Sequence, residues 1–102
     1  MKFRLISDNR DTLLGLRLSG IDGVIVGTRE GVLRELKNAA DDEDVGIVLI
    51  TEKLTKLCPE TIYEMKLVNR RPLVVSIPDR HGSDASEDSI MQYVRDAIGV
   101  KL

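Results

Sequence analysis

Short apolar runs alternate along the chain with longer segments whose apolar residues have helical spacing. The runs cover residues 3–7, 23–27, 45–51 and 72–77, and the last three are rich in β-branched residues. Nearly continuous hydrophobicity of this kind is typical of strands that are covered on both faces, as in a parallel sheet. We therefore predict four strands, with the last three buried on both sides.

The first two intervening segments have the spacing and the end signals of amphipathic helices. Gly20 suits a C-terminal cap for the first helix, and Thr28 suits the N-terminal cap of the second. Leucines three and four apart mark the first segment, and one apolar stripe marks the second: Leu13, Leu14, Leu16 and Leu18, then Val32, Leu33, Leu36, Ala39 and Ala40.

The last two segments also predict helices. Pro59 is placed to open the main helix of the third segment, at a first position where a missing N–H costs little. Its stripe consists of Leu54, Leu57, Cys58, Ile62, Met65 and then Val68 or Asn69. In the fourth segment Ser86 caps a helix that Gly99 ends, with an apolar face made of Ile90, Val94, Ala97 and Ile98.

This alternation of strands and helices predicts a single α/β domain over residues 1–102. Residues 1–78 form the sheet core, 79–85 a loop and 86–99 the C-terminal helix. Short connections favour a four-stranded parallel sheet with helices on both faces. By analogy with flavodoxin-like and receiver-like folds, we expect strand order 2-1-3-4, with a switch point between strands one and three.

Composition limits the classes of function. The 102 residues are 42% hydrophobic and 31% charged, with a net charge of −2 and scattered basic residues, so nucleic acid and anionic lipid are not expected partners. One cysteine, Cys58, excludes an intramolecular disulfide and fits a reducing compartment. With no signal peptide or membrane-spanning run expected, we predict a cytoplasmic chain that meets a membrane only through partners.

Few reactive residues follow the predicted strands, although the ligand-binding loops of a doubly wound sheet lie at the carboxyl ends of its strands. The second strand is followed by glycines without a dinucleotide or P-loop motif, so no nucleotide cofactor is expected. A receiver domain needs an acidic pair, a carboxylate acceptor and a lysine at three strand ends. Here Asp8 can supply half of the pair, Thr51 followed by Glu52 holds the acceptor position, and the last strand ends without lysine.

Other reactive side chains have simpler interpretations. His81 lies among Asp79, Ser83 and Asp84, but a catalytic triad needs groups fixed by rigid elements, and one histidine is poor support for a metal site. We interpret Cys58 as a small buried apolar residue. The acidic run at 41–44 is expected to be a solvated turn, with a docking patch as the alternative. We expect no catalytic, cofactor or metal site.

Three segments resemble the F subunits of the V-type and A-type rotary ATPases. They are GLRLSGI at 15–21, in which Leu16 and Ser19 replace a usual phenylalanine and alanine, IVLITEKL at 47–54, and the region from Pro72 to Ile90. The resemblance implies a non-catalytic component of the central stalk on the cytoplasmic side. It implies binding to the coiled-coil D subunit of the stalk, rotation inside the catalytic hexamer, and coupling of ion transport to ATP synthesis or hydrolysis.

The C-terminal region is the predicted interaction surface. Polar rim contacts are expected from Asp79, Arg80 and His81, and apolar contacts from Ile90, Met91, Tyr93 and Val94. The alternative is that this helix packs only into the core of its own domain. Two other functions stay open: a receiver-like interaction domain that lacks a phosphorylation site, and an enzyme acting on a small phosphorylated substrate.

Overall fold

The computed structural model describes residues 2–68 and 72–78 of the chain. Four strands form one parallel sheet in the order β2-β1-β3-β4: β1 (Lys2–Ser7), β2 (Asp22–Ile25), β3 (Val45–Thr51) and β4 (Leu73–Ile77). The described helices are α1 (Arg10–Leu18), α2 (Arg29–Asp41), α3 (Glu52–Thr55) and α4 (Pro59–Val68). The predicted α/β class and strand order are confirmed.

Apolar side chains on the two faces of the sheet form two separate clusters. One cluster joins the sheet to α2, α3 and α4 through Val32, Leu36, Leu54, Ile62 and Met65. The other joins the opposite face to α1 through Leu13 and Leu16. Alternate residues of β1 divide between them, since Ile6 belongs to the first and Leu5 to the second. Helices therefore lie on both faces, as predicted.

The strands differ in how completely they are covered. All seven residues of β3 are buried, as expected for a central strand. In contrast, Asp22 and Ile25 of β2 are exposed and the residues between them are half-buried. The expectation that β2 would be covered on both faces was wrong, because β2 is a four-residue strand at the edge of the sheet.

The end of α1 is fixed by the glycine that the sequence indicated. Gly20 has a φ of 85°, a left-handed conformation in which glycine has no side chain to clash. Its N–H donates to the carbonyl of Arg17, and the N–H of Ile21 donates to the carbonyl of Leu16, both at 3.0 Å. These two bonds form a Schellman motif, which turns the chain directly into β2.

The segment after β3 forms two helices, α3 and α4, so its apolar residues do not form one continuous stripe. Pro59 is the first residue of α4, as predicted, and Leu54 in α3 is 1% exposed. Leu57 lies between the two helices and is 38% exposed, so its predicted place in the apolar stripe was wrong. The break after α3 changes the helical phase, which turns Leu57 outward while Cys58 enters the core.

The predicted fourth helix and its loop, residues 79–99, lie outside the described residues, as do Asn69 and the side chain of Val68. No helix in the described part of the chain is long and apolar enough to cross a bilayer.

Candidate functional site

A cleft lies where the carboxyl ends of β1, β2 and β3 meet, at the switch point of the sheet. Its volume is about 440 Å³, and its lining consists of Asp8, Ile25, Val26, Gly27, Lys53, Leu54 and Leu57. Ligands of open α/β sheets bind at this position. The cleft is therefore where a chemical function of this fold would reside.

The carboxylate of Asp8 is held by two neighbours from the end of β3. The hydroxyl of Thr51 donates to Oδ1 of Asp8 at 3.0 Å, and Nζ of Lys53 lies 3.7 Å from Oδ2. Thr51 is 1% exposed, so its hydroxyl faces the protein rather than the cleft. Both carboxylate oxygens thus have partners within the chain, and Asp8 joins the end of β1 to the end of β3.

The receiver-type arrangement is only partly reproduced. Asp8 occupies the place of one acidic residue, but Asp11 lies in the exposed first turn of α1, where its N–H donates to Asn9 Oδ1 at 2.8 Å. The acceptor position at the end of β3 is Thr51, and Glu52 begins α3 with an exposed side chain. Within residues 2–68 and 72–78, no group of three histidine, cysteine or acidic side chains is arranged to hold a metal ion.

Arg29 joins α2 to the segment that follows α3 through contacts that sequence reasoning missed. Its Nη1 donates to the carbonyl oxygen of Leu57 at 2.9 Å, and Nη2 lies 2.7 Å from Oε1 of Glu60. The pKa of the Glu60 carboxyl is lowered by its own backbone N–H and then by Arg29. One residue therefore connects the start of α2 to the junction of α3 and α4.

Cys58 is a core residue, as the sequence predicted. It is fully buried in the cluster beneath α2, α3 and α4, and burial raises the pKa of its thiol. A thiol that stays protonated is a poor nucleophile. The interpretation of Cys58 as a small apolar side chain is confirmed.

The acidic run at 41–44 forms a solvated turn between α2 and β3, as expected. Asp42 Oδ1 accepts from the N–H of Asp44 at 3.0 Å, and its Oδ2 lies 3.3 Å from Nζ of Lys2. The first contact lies within the turn and the second ties the turn to the start of β1, while Asp41, Glu43 and Asp44 are exposed.

Two pairs of apolar side chains project from the helices into solvent. On α1, Leu14 is 54% and Leu18 is 83% exposed; on α4, Tyr63 is 67% and Leu67 is 66% exposed. Each pair is spaced by four residues and so lies along one side of its helix. These are the described surfaces best suited to contact with another protein.

Comparison with known proteins identifies the family of this chain. A family model described as ATP synthase (F/14-kDa) subunit matches residues 4–94. The chain belongs to the family of ATP synthase F subunits. It is 36% identical to the F subunit of the A-type ATP synthase of Thermococcus kodakarensis and 35% identical to that of Pyrococcus furiosus, over 100% of this chain and 98% of each relative. It is 33% identical to the corresponding subunit of Methanocaldococcus jannaschii, over 100% of this chain and 99% of the relative.

Membership of this family confirms the resemblance drawn from the three sequence segments. It also agrees with the expectation of a structural subunit rather than a catalytic one. The sequence-predicted contact residues lie outside the described part of the chain: Asp79, Arg80, His81, Ile90, Met91, Tyr93 and Val94. Sequence reasoning did not select the α1 and α4 pairs, although the four leucines of α1 already exceed what one core-facing stripe needs.

Proposed function

We propose that this member of the family of ATP synthase F subunits is a non-catalytic central-stalk subunit of a V/A-type rotary ATPase. In this proposal it binds the coiled-coil D subunit and helps to couple ion transport to ATP hydrolysis or synthesis. The observation that carries the proposal is similarity over the full chain to the F subunits of A-type ATP synthases. The proposed location is the cytoplasmic face of the membrane, as part of the complex.

The fold is mechanically suited to a rotating part. The central strand β3 is wholly buried, and it pairs in parallel with β1 on one side and with β4 on the other. Close-packed interiors of this kind have low compressibility. A domain built in this way can transmit torque between partners without distorting.

The predicted C-terminal contacts belong to the same proposal. We retain residues 79–85 as a loop and 86–99 as a helix of the single domain. In this scheme Asp79, Arg80 and His81 contact the rim of the stalk, and the apolar residues Ile90, Met91, Tyr93 and Val94 contact its helices. Arg80 is the residue to test first, because arginine is enriched among interface residues with large effects.

Co-expression with the D subunit of the same synthase tests the proposal. The wild-type chain should co-purify with the D subunit as a stable pair. Arg80→Ala should weaken the pair by about 1–3 kcal/mol, measured by titration of the two purified proteins. Arg34→Ala is the matched control, because Arg34 on α2 is 68% exposed and the substitution removes the same charge. Failure of the wild-type chain to bind would refute the proposed function, whereas equal affinity of the two variants would exclude only Arg80.

A further inference from the structure

The outer face of α1 is defined here as Leu14, Gly15 and Leu18. Leu13 and Leu16 of the same helix are buried against the sheet, so this helix already has a complete core-facing side. Leu14 and Leu18 point away from that core, at 54% and 83% exposure. A single exposed leucine is ordinary in a soluble protein, but two on adjacent turns form an apolar ridge.

Gly15 follows Leu14 and lies beside this ridge, and no contact within residues 2–68 and 72–78 requires a glycine there. Glycine inside a helix is destabilising relative to alanine. At Gly23 and Gly31 a methyl group would press on neighbouring atoms, whereas at Gly15 it would meet no described atom within 4 Å beyond the adjacent backbone of its own helix. Packing in the described part of the chain therefore gives no reason for glycine at position 15. Bare backbone beside an apolar ridge allows close approach of another element from outside.

An α-helix of a larger partner fits this face better than a second copy of the chain. The nine residues of α1 extend about 14 Å along the helix axis. A stable dimer needs about 800 Å² from each partner, more than one side of so short a helix supplies. A long helix that continues past α1 to other contacts has no such requirement at this one site. Arg10 of α1 is exposed and favours an acidic residue beside the apolar positions of that helix, whereas the neighbouring Arg17 already pairs with Asp22 at 3.3 Å.

We infer that the outer face of α1 docks a helix of the coiled-coil D subunit, which packs on the ridge of Leu14 and Leu18 and approaches the backbone closely at Gly15 beside that ridge. The inference rests on the proposed function. It adds residues of α1 to the contacts proposed for residues 79–94. The partner helix lies against Gly15 with apolar residues at its contact positions and an acidic residue beside them.

Gly15→Ala distinguishes an effect on docking from an effect on stability, because it should raise the Tm of the chain and lower its affinity for the D subunit. In the isolated chain alanine favours the helix and meets no neighbour, so Tm should rise by about 4–8 °C. In the pair with the D subunit the added methyl group should obstruct the approaching helix, and affinity should fall measurably. Leu18→Lys should weaken the pair by about tenfold or more with unchanged Tm, because Leu18 is already exposed.

Leu67→Lys on α4 is the matched control, since Leu67 is 66% exposed and the same charge is introduced. The experiment uses full-length variants and the purified D subunit, with affinity measured by titration and Tm by calorimetry. If the wild-type chain does not bind the D subunit, the proposed function and this inference both fail. If the wild-type chain binds and both α1 variants bind equally well, only the inference is overturned. Sedimentation of the chain alone as a dimer that Leu18→Lys dissociates would also overturn it, by showing a second copy on this face.

Discussion

Gly23 marks an unusually close approach between the backbones of β2 and β1. It pairs in register with Leu5, and a Cβ atom at this position would overlap the carbonyl oxygen and the Cβ of Leu5. Leu5 is itself fully buried and cannot move aside without disturbing the cluster beneath α1. The absence of a side chain at Gly23 therefore holds the edge strand against the sheet.

Gly23→Ala should lower the free energy of unfolding by about 1–3 kcal/mol, because the methyl group would force β2 away from Leu5. Gly27→Ala is the control, since nothing lies within 4 Å of a Cβ at Gly27. Its effect should be smaller than about 1 kcal/mol. Urea denaturation of the two variants measures the difference, and equal stability would show that the β2–β1 approach has no energetic consequence.

Acidic side chains with lowered pKa values lie at the boundaries of several elements. Asp22 begins β2 and accepts from the N–H of Gly23, its largest influence, and from Arg17. Asp42 follows α2 and accepts first from the N–H of Asp44 and then interacts with Lys2. Glu60 lies in the first turn of α4. In each case a carboxylate accepts a backbone N–H, which favours the ionised form in the folded state.

Acid should therefore weaken the turn between α2 and β3 through Asp42. Its pKa is lowered in the folded state, so the unfolded chain binds more protons and stability rises with pH in this range. The contribution is complete above the unfolded pKa of about 4 and is lost as the pH falls through the folded value. Asp42→Asn removes the carboxylate, so the difference in stability between wild type and variant should shrink below about pH 4. Thermal unfolding at several pH values measures this.

Asp41→Asn removes a carboxylate from the exposed end of the same helix and corrects for the change in net charge. A wild-type advantage over Asp42→Asn that stays constant from neutral to acidic pH would show that the Asp42 carboxylate does not stabilise the turn through its charge.

Elements were predictable where one strong local signal determined them. Gly20 and Thr28 cap helices as expected, and Oγ1 of Thr28 accepts from the N–H of Gly31 at 3.1 Å. The predictions failed where the burial of a residue depends on which elements pack against it in the fold. Apolar runs do not reveal that β2 lies at an edge, and helical periodicity cannot locate the break that turns Leu57 outward. The local sequence pattern thus predicted whether a segment is a helix or a strand better than it predicted how far its side chains are buried.

At the scale of the whole molecule, strand order was predictable but the partners of side chains were not. Alternating strands and helices leave few topologies, and the observed order β2-β1-β3-β4 is among them. The contacts of the cleft connect distant positions: Asp8 with Thr51, and Arg29 with Leu57. Hydrophobic periodicity carries no information about side-chain contacts between positions so far apart in the sequence. The cleft could be located from the sequence, but the engagement of Asp8 by Thr51 and Lys53 required the structure.

The cleft bears directly on the receiver-like alternative, since the same architecture supports many functions. In a receiver the acidic pair after the first strand is available for a metal, and a carboxylate at the end of the third strand accepts the phosphoryl group. Here the buried hydroxyl of Thr51 donates to Asp8 at 3.0 Å, and Nζ of Lys53 lies 3.7 Å from the same carboxylate. Thr51 also occupies the position where a receiver has its acceptor carboxylate.

We therefore predict that acetyl phosphate with Mg²⁺ adds no phosphoryl group to the chain, as measured by intact mass, while a genuine receiver domain treated in parallel is labelled. Mg²⁺ alone should leave Tm unchanged. Incorporation of a phosphoryl group that disappears in Asp8→Asn or Glu52→Gln would contradict the prediction, because it would show that the pairing of Asp8 opens and that this edge of the sheet performs chemistry.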